Sequence, residues 1–261
     1  MFPLDLPPVT NKPLYAYRVS AKWFSFFFFG TSSLILGILV LPVMRLLLHP
    51  KARFQKYGRL VVTFFFRFFV SLMHFLRIVD LEVKNRNDFN NLSSKIIVAN
   101  HPSILDVVML ISLIPNADCI VSAYLKNNIL GAVIRQLYIL NSNDLDDVLN
   151  SCKETLKQGN CLIIFPEGTR TPRSGRMIPR KGAARIALAS ECSILPVHIG
   201  GTDKFGLGKK DPWTGFNPTQ RYVYRITMGN EIIPEKYRNF PAPAAAKCLT
   251  DEIASFLFQK R

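Results

Sequence analysis

The sequence predicts an α/β protein in which a mixed, mainly parallel central sheet has helices on both faces and follows an N-terminal membrane-associated helical segment. Apolar residues make up 49% of the chain, but most of its 20 phenylalanines lie before residue 80. From about residue 77, short runs rich in Val, Ile or Phe alternate with helical segments, with turn residues between them. We therefore expect membrane-anchoring helices over residues 1–79 and one α/β domain over residues 80–261.

Two apolar runs predict the membrane association. The run from Phe24 to Met44 carries no charge, and at about 1.5 Å per residue it can cover the roughly 30 Å hydrocarbon core of a bilayer. It starts too late and runs too long for a cleaved signal peptide. The second run, Leu60 to Ile78, contains Arg67, His74 and Arg77, so we expect an interfacial or partly buried helix.

Basic residues suggest an orientation and a class of partner. Five cations lie between the two runs, namely Arg45, Lys51, Arg53, Lys56 and Arg59. This cluster predicts that residues 45–59 face the cytoplasm. The net charge of +15 suits anionic lipids, nucleic acid or an acidic carrier protein. Because the charges flank apolar segments and do not interleave with aromatic residues in a nucleic-acid-binding motif, we do not expect a nucleic-acid partner.

The expected elements alternate along the second part of the chain. Strands are predicted at Ile78 to Val83, Ile96 to Ala99, Cys119 to Ser122, Leu162 to Phe165, Leu195 to Ile199 and Tyr222 to Met228. Helices are predicted at Ser103 to Leu113, Asn128 to Leu137, Asp144 to Gln158, Lys181 to Ser190 and Ala244 to Gln259. The stretch Thr202 to Thr219 has no apolar period and is expected to be a long surface loop.

The first chemical motif runs from Asn100 to Asp106, directly after the strand Ile96 to Ala99. A histidine at the end of a buried strand, one helical turn from a carboxylate, can be held in one tautomer. If Asp106 accepts a hydrogen bond from one imidazole nitrogen of His101, the other nitrogen is free to act as a general base. The alternative is structural, since Ser103 and Asp106 also have the spacing of a helix capping box.

The second motif is Phe165 to Arg170, where the apolar strand Leu162 to Phe165 ends, so it should lie on the same sheet edge as His101. Six cations follow within a short distance, namely Arg170, Arg173, Arg176, Arg180, Lys181 and Arg185. Guanidinium groups bind phosphate well, so this cluster is a candidate phosphate site. The alternative is a solvated basic loop in which Pro166 and Gly168 form a turn.

Other chemistries have little support in the sequence. The four histidines, His49, His74, His101 and His198, have no zinc-like spacing, so we expect no metal site. The five cysteines contain no CxxC pair and are expected to be reduced core residues. A serine nucleophile is disfavoured because the chain has no G-x-S-x-G elbow.

In order and spacing, the two motifs resemble those of the glycerophospholipid acyltransferase family, whose 1-acylglycerol-3-phosphate acyltransferases carry NHxSxxD followed by FPEGTR. The similarity extends over roughly residues 80–230. It implies that residues 80–261 are an acyltransferase domain in which His101 is the base and Asp106 orients it. It also implies that Glu167, Gly168, Thr169 and Arg170 help to hold the acceptor, with acyl-CoA or acyl carrier protein as co-substrate, no other cofactor, and membrane lipids as partners.

One departure from the family leaves the acceptor open. Enzymes of this type usually carry an arginine at the end of an apolar run between the motifs, whereas the matching run here, Tyr138 to Asn143, has none. Arg135 or the Arg170 cluster could take its place. The acceptor is a lysophospholipid such as 1-acylglycerol 3-phosphate, or another lipid alcohol of the aryl polyene or ornithine lipid type.

A rival interpretation is a noncatalytic lipid-binding membrane protein that uses the same apolar segments. The resemblance and the basic cluster together predict a bacterial inner-membrane location with the catalytic domain facing the cytoplasm.

Overall fold

The computed structural model describes residues 6–141, 144–172 and 178–258. Seven strands are present in these ranges: β1 Val79–Val83, β2 Ile96–Ala99, β3 Ala117–Ser122, β4 Ile139–Asn141, β5 Cys161–Ile164, β6 Ile194–Gly201 and β7 Tyr222–Met228. The α-helices are α1 Lys12–Ile35, α2 Leu41–Leu47, α3 Lys51–Phe75, α4 Arg86–Asn90, α5 Asp106–Leu113, α6 Gly131–Leu137, α7 Leu145–Lys157, α8 Gly182–Ser190 and α9 Ala242–Leu257. A π-helical segment, Leu36–Val40, joins α1 to α2.

The seven strands form one sheet in the order β1-β7-β6-β2-β5-β3-β4. The five strands from β6 to β4 run parallel to one another. Strand β7 is antiparallel to β6, and β1 is parallel to β7. The prediction of a mixed, mainly parallel sheet is therefore confirmed.

Helices cover both faces of the sheet, as predicted. Along β2, Ile97 and Ala99 belong to one hydrophobic core, with α3 and α5, whereas Ile96 and Val98 belong to a second core, with α7, α8 and α9. Successive residues of a strand point to opposite faces, so a central strand covered on both sides is apolar throughout. All residues of β2 and β5 are accordingly buried.

The N-terminal helices lie against the α/β domain and share its first core. Helix α1, its π segment and α2 form one continuous helical run that is antiparallel to α3, with contacts at both ends of the pair. Phe29 packs on Phe65, Phe66 and Phe69 along this contact. Lys12–Leu47 and Lys51–Phe75 are each long and apolar enough to cross a membrane by length and composition.

Helix α3 is partly buried, in agreement with the interfacial or partly buried helix predicted there, and it starts earlier than Leu60. Arg59, the last of the five cations between the two apolar runs, is buried, and its guanidinium pairs with Asp118 at 2.5 Å. Arg67 donates to the carbonyl of Ser112 at 2.8 Å. These two arginines attach α3 to the domain.

The predicted strands lie within two residues of the observed ones. Strand β4 was not predicted, because a strand of three residues is too short to show an alternating apolar pattern. The helix expected from Ser103 begins at Asp106, since residues 103–105 form turns around the first motif. The stretch Thr202 to Thr219 lacks regular structure, but it is not simply a surface loop, because Lys204, Leu207, Phe216 and Asn217 are buried. Ser142, Asn143, Arg173, Arg176 and Gln259 lie outside the described residues.

Candidate active site

The first motif lies at the carboxyl edge of the parallel strands, directly after β2. His101 Nδ1 is 2.8 Å from Oδ2 of Asp106, the first residue of α5. The aspartate is fully buried, whereas the imidazole keeps 17% of its surface exposed. An ionised carboxylate only accepts hydrogen bonds, so Nδ1 carries the imidazole proton. Nε2 is therefore the basic nitrogen.

A network of donors fixes the Asp106 carboxylate. Ser103 donates through its backbone N–H to Oδ2 at 2.7 Å and through its hydroxyl to Oδ1 at 2.6 Å. Ser103 Oγ in turn accepts from the backbone N–H of Leu105 at 3.2 Å. These bonds orient the carboxylate towards the histidine. They do not form the predicted capping box, because α5 begins at Asp106 and its N-cap, Leu105, has no side-chain cap hydrogen bond.

Asn100 fixes the end of β2 against β6. Its amide donates to the carbonyl of Ile199 at 2.9 Å and accepts from the N–H of Ile199 at 2.7 Å. The side chain therefore bonds like one more peptide unit beyond the last strand pair. This places the backbone of His101 in a defined position at the sheet edge.

The second motif packs directly on the first. The ring of Phe165 stacks on that of His101, with centroids 4.2 Å apart and an interplanar angle of 25°. Glu167 is buried, and its Oε1 accepts from the backbone N–H of His101 at 2.8 Å and from the hydroxyl of Thr171 at 2.7 Å. Burial raises the pKa of Glu167, while these two hydrogen bonds oppose the shift. Glu167 therefore connects the two motifs.

Gly168 has a left-handed backbone, with φ of +66°, at the turn after Glu167. A Cβ at this position would lie 3.0 Å from Cζ of Arg180, so glycine leaves room for that guanidinium. The backbone N–H of Arg180 donates to the carbonyl of Pro166 at 2.8 Å. Arg180 is exposed beside this turn, and Thr169 is half-buried next to it.

Arg170 is hydrogen-bonded to the segment that follows β6. Its Nη1 donates to the carbonyls of Leu207 and Gly208 at 3.0 and 2.9 Å. The carbonyl of Leu207 also accepts from the N–H of Ile104 at 3.1 Å. This arginine therefore joins both motifs to the 202–219 segment, a structural task that its sequence position did not reveal.

Arg135 lies elsewhere. It is exposed on α6, donates to the carbonyl of Lys126, and lines a groove together with residues of α3 and α7. In the described part of the chain, no hydrogen bond or ion pair joins Arg135 to either motif. The structure thus brings His101, Asp106, Glu167, Gly168, Thr169 and Arg170 together and leaves Arg135 apart.

Two further residues at the site gave no sequence signal. The hydroxyl of Tyr224 on β7 is 2.7 Å from Ser103 Oγ. Lys204 is 7% exposed, and its Nζ lies 4.6 Å from the centroid of the Tyr224 ring. A cavity of about 220 Å³ opens next to them, lined in part by Pro102, Thr171 and Gly200. Both residues lie far along the chain from the first motif, Asn100 to Asp106, so no local sequence spacing could predict their contact with it.

The 202–219 segment also contacts α1. The amine of Lys22 donates to the carbonyls of Trp213 and Gly215 at 2.6 and 2.5 Å. The N–H of Phe216 donates to the hydroxyl of Tyr15 at 3.3 Å. Helix α1 is therefore hydrogen-bonded to the same segment whose Leu207 carbonyl accepts from the first motif.

The remaining histidines and the cysteines lie away from these motifs. His74 pairs with Asp80 at 2.9 Å, and His198 Nδ1 is 3.0 Å from the carbonyl of Leu257. Cys119, Cys152 and Cys161 are buried, Cys192 is half-buried and Cys248 is exposed. Among the residues that the structure describes, no three His, Cys, Asp or Glu side chains are grouped as metal ligands.

The fold and the site define an α/β protein with two apolar N-terminal helices and a histidine–aspartate pair at the edge of its sheet. Residues 80–200 match the family model described as Acyltransferase. This part of the chain belongs to the acyltransferase family.

Curated relatives and one solved structure agree with this assignment. A 1-acyl-sn-glycerol-3-phosphate acyltransferase of Cocos nucifera is 33% identical over 127 residues, covering 44% of this chain and 40% of that protein. The chloroplastic 1-acyl-sn-glycerol-3-phosphate acyltransferase BAT2 of Brassica napus is 29% identical over 185 residues, covering 66% and 52%. The chain thus spans about half the length of these relatives, or less. The crystal structure of PlsC, the 1-acyl-sn-glycerophosphate acyltransferase of Thermotoga maritima, has the same fold, with a TM-score of 0.64, 22% identity and coverage of 94% and 96%.

Proposed function

We propose that this protein is a membrane-bound O-acyltransferase that moves a fatty acyl group from a thioester to a hydroxyl of a lysophospholipid such as 1-acylglycerol 3-phosphate. The observation that carries the proposal is the bond between His101 Nδ1 and the buried Asp106, which leaves Nε2 as the basic nitrogen. The names of the relatives supply the reaction and the acceptor class. A noncatalytic lipid-binding protein would not need this arrangement.

In the proposed reaction, His101 Nε2 removes the proton of the acceptor hydroxyl as its oxygen attacks the thioester carbonyl. Asp106 stabilises the imidazolium that forms, and the proton then passes to the departing thiolate. No covalent acyl-enzyme is needed. The buried Glu167 holds the backbone of His101, so its part in the reaction is to position the base.

The acceptor phosphate is proposed to bind beside the Gly168 turn. Arg180 is exposed there, with its guanidinium beside Gly168. Arg170 follows Gly168 closely in the sequence, but its Nη1 is already bound to backbone carbonyls. A guanidinium group suits a phosphate, because it can donate two parallel hydrogen bonds. Arg135 is not proposed for this role, because its contacts are with Lys126 and with the groove between α3 and α7.

We propose that the N-terminal helices enter the membrane while they remain docked on the domain. Their outward side exposes large apolar residues, including Phe27, Ile38 and Phe64, with 72%, 66% and 74% of their surfaces accessible. The helical run contacts the domain at Lys22 of α1 and again at Gly37 of the π segment, whose carbonyl accepts from Gln136. A helix attached at both places lies along the domain, which suits an interfacial anchor. A bacterial inner membrane with the domain on the cytoplasmic side remains part of this proposal.

The test is product analysis with detergent-purified protein and its His101→Gln variant. Acyl-CoA and acyl carrier protein donors would each be paired with 1-acylglycerol 3-phosphate, other lysophospholipids, and lipid alcohols of the aryl polyene and ornithine lipid types. We expect acylated 1-acylglycerol 3-phosphate from the wild type and a rate lower by about 10²-fold or more from the variant. Product from another lipid alcohol only would reject the acceptor, and lipid binding without product on any pair would reject the enzyme.

A further inference from the structure

Lys204 is a buried ammonium that the proposed reaction does not use. Its Nζ donates to the backbone carbonyls of Val223 at 2.8 Å, Gly200 at 3.3 Å and Thr202. These three acceptors match the three protons of an ammonium group. Among the described residues no carboxylate forms an ion pair with it, and a buried lysine of this kind is uncommon because its charge has been removed from water. Its location under the site therefore requires an explanation.

The aromatic ring next to this ammonium, that of Tyr224, is connected by hydrogen bonds to the Asp106 carboxylate. Lys204 Nζ lies 4.6 Å from the centroid of Tyr224. The Tyr224 hydroxyl is 2.7 Å from Ser103 Oγ, which is 2.6 Å from Asp106 Oδ1. Because ionised Asp106 cannot donate, the single hydroxyl proton of Ser103 goes to the carboxylate. Ser103 must then accept from Tyr224, so all donors in this chain point towards Asp106.

We propose that Lys204 is a positioning residue that holds Tyr224, and through Ser103 the Asp106 carboxylate, in the orientation that His101 needs. This inference rests on the proposed function. The cation over the ring fixes the phenol and favours its role as a donor. Burial lowers the pKa of the Lys204 amine to about 8, while the charges of Asp106 and Asp203 oppose this shift.

The first test is an NMR measurement that needs no substrate. The Nδ1 proton of His101 would be recorded on full-length protein with 15N-labelled histidine in detergent micelles, and assigned with His101→Gln. We expect the resonance in the wild type and in Lys204→Arg, and its loss or displacement in Lys204→Met and in Tyr224→Phe, which removes a single hydroxyl. Lys209→Met removes an exposed charge from the same segment and should leave the resonance in place. A resonance unmoved in Lys204→Met or Tyr224→Phe would overturn the proposal.

The second test asks whether Lys204 acts through Asp106. We expect Lys204→Met to lower kcat by about 10- to 100-fold, the scale of one hydrogen bond to a charged group, with KM of the acceptor unchanged within about twofold. In an Asp106→Asn background the same substitution should have almost no further effect, because coupled residues are not additive. Equal losses in both backgrounds, or a change confined to KM, would contradict the proposal. Failure of the proposed function would appear differently, as a normal His101 resonance without transfer.

Discussion

The attachment of α3 to the α/β domain can be tested by removing one partner of a buried ion pair. Arg59 and Asp118 have 2% and 5% of their side chains exposed and lie 2.5 Å apart. Arg59 also donates to Asn116 at 3.1 Å, and Thr155 donates to Asp118 at 3.0 Å. Arg59→Met keeps much of the aliphatic volume but leaves Asp118 buried without its cation. We expect the free energy of unfolding to fall by about 3–5 kcal/mol.

The pH dependence of this loss has a definite sign. Burial raises the pKa of Asp118 above its ordinary value, and the charge of Arg59 opposes that rise. Without Arg59 the folded-state pKa of Asp118 is higher still. A carboxyl group with a raised folded-state pKa destabilises the fold at higher pH. This penalty shrinks as pH falls below the folded-state pKa and is gone below the unfolded-state pKa. The deficit of Arg59→Met relative to wild type should therefore shrink on acidification.

Urea unfolding in detergent micelles, followed by tryptophan fluorescence at several pH values, measures both effects. The ring centroids of Trp23 on α1 and Trp213 in the 202–219 segment lie 6.4 Å apart. Their emission therefore changes when α1 separates from this segment on unfolding. The double variant Arg59→Met/Asp118→Asn is the matched control, and its deficit should be smaller than that of Arg59→Met alone. A deficit below about 1 kcal/mol near pH 7, or one that grows on acidification, would refute the reasoning.

Three further changes should have specific effects. Asp106→Asn removes the negative charge that holds the His101 Nδ1 proton, so kcat should fall by about 10³- to 10⁴-fold with a melting temperature near that of wild type; a loss under tenfold would contradict the assigned role. Gly168→Ala places a Cβ at a φ of +66° and 3.0 Å from Arg180 Cζ, so steady-state kinetics should show a raised KM for the phosphate-bearing acceptor with the donor KM unchanged, whereas equal changes would reject an acceptor site at this turn. Lys22→Met removes the donor to the Trp213 and Gly215 carbonyls, so limited proteolysis within residues 202–219 should accelerate; an unchanged cleavage rate would show that α1 does not hold the segment.

Local patterns were enough to predict most of the fold and the centre of the site. The short Val- and Ile-rich runs gave the strands because both faces of β2 and β5 are buried, which forces apolar residues at every position. The His101–Asp106 contact could be predicted because both residues belong to one short motif directly after a buried strand. The placement of Phe165 to Arg170 on the same edge followed from the parallel pairing of β2 and β5.

Contacts over long sequence separations were not readable. Tyr224 meets Ser103 because β7 runs antiparallel to β6, a pairing that no spacing rule encodes. Lys204 and Arg59 looked like ordinary surface cations, since a sequence does not show which charges will be buried. The 202–219 segment looked like a surface loop because its polar residues bond to one another and to α1, as in the Asp211 carboxylate accepting from Gly206 and Gly208. Hydrogen bonds, and not a periodic apolar face, hold this segment in place.

The central claim is that His101 acts as the general base in acyl transfer. The most direct measurement compares wild type and His101→Ala in two assays on the same preparations: the rate of acyl transfer from a thioester to 1-acylglycerol 3-phosphate, and the affinity for that acceptor in detergent micelles. The account predicts that transfer falls by about 10²-fold or more while the affinity changes by less than about threefold. Transfer that continues at a comparable rate in the folded variant would contradict it.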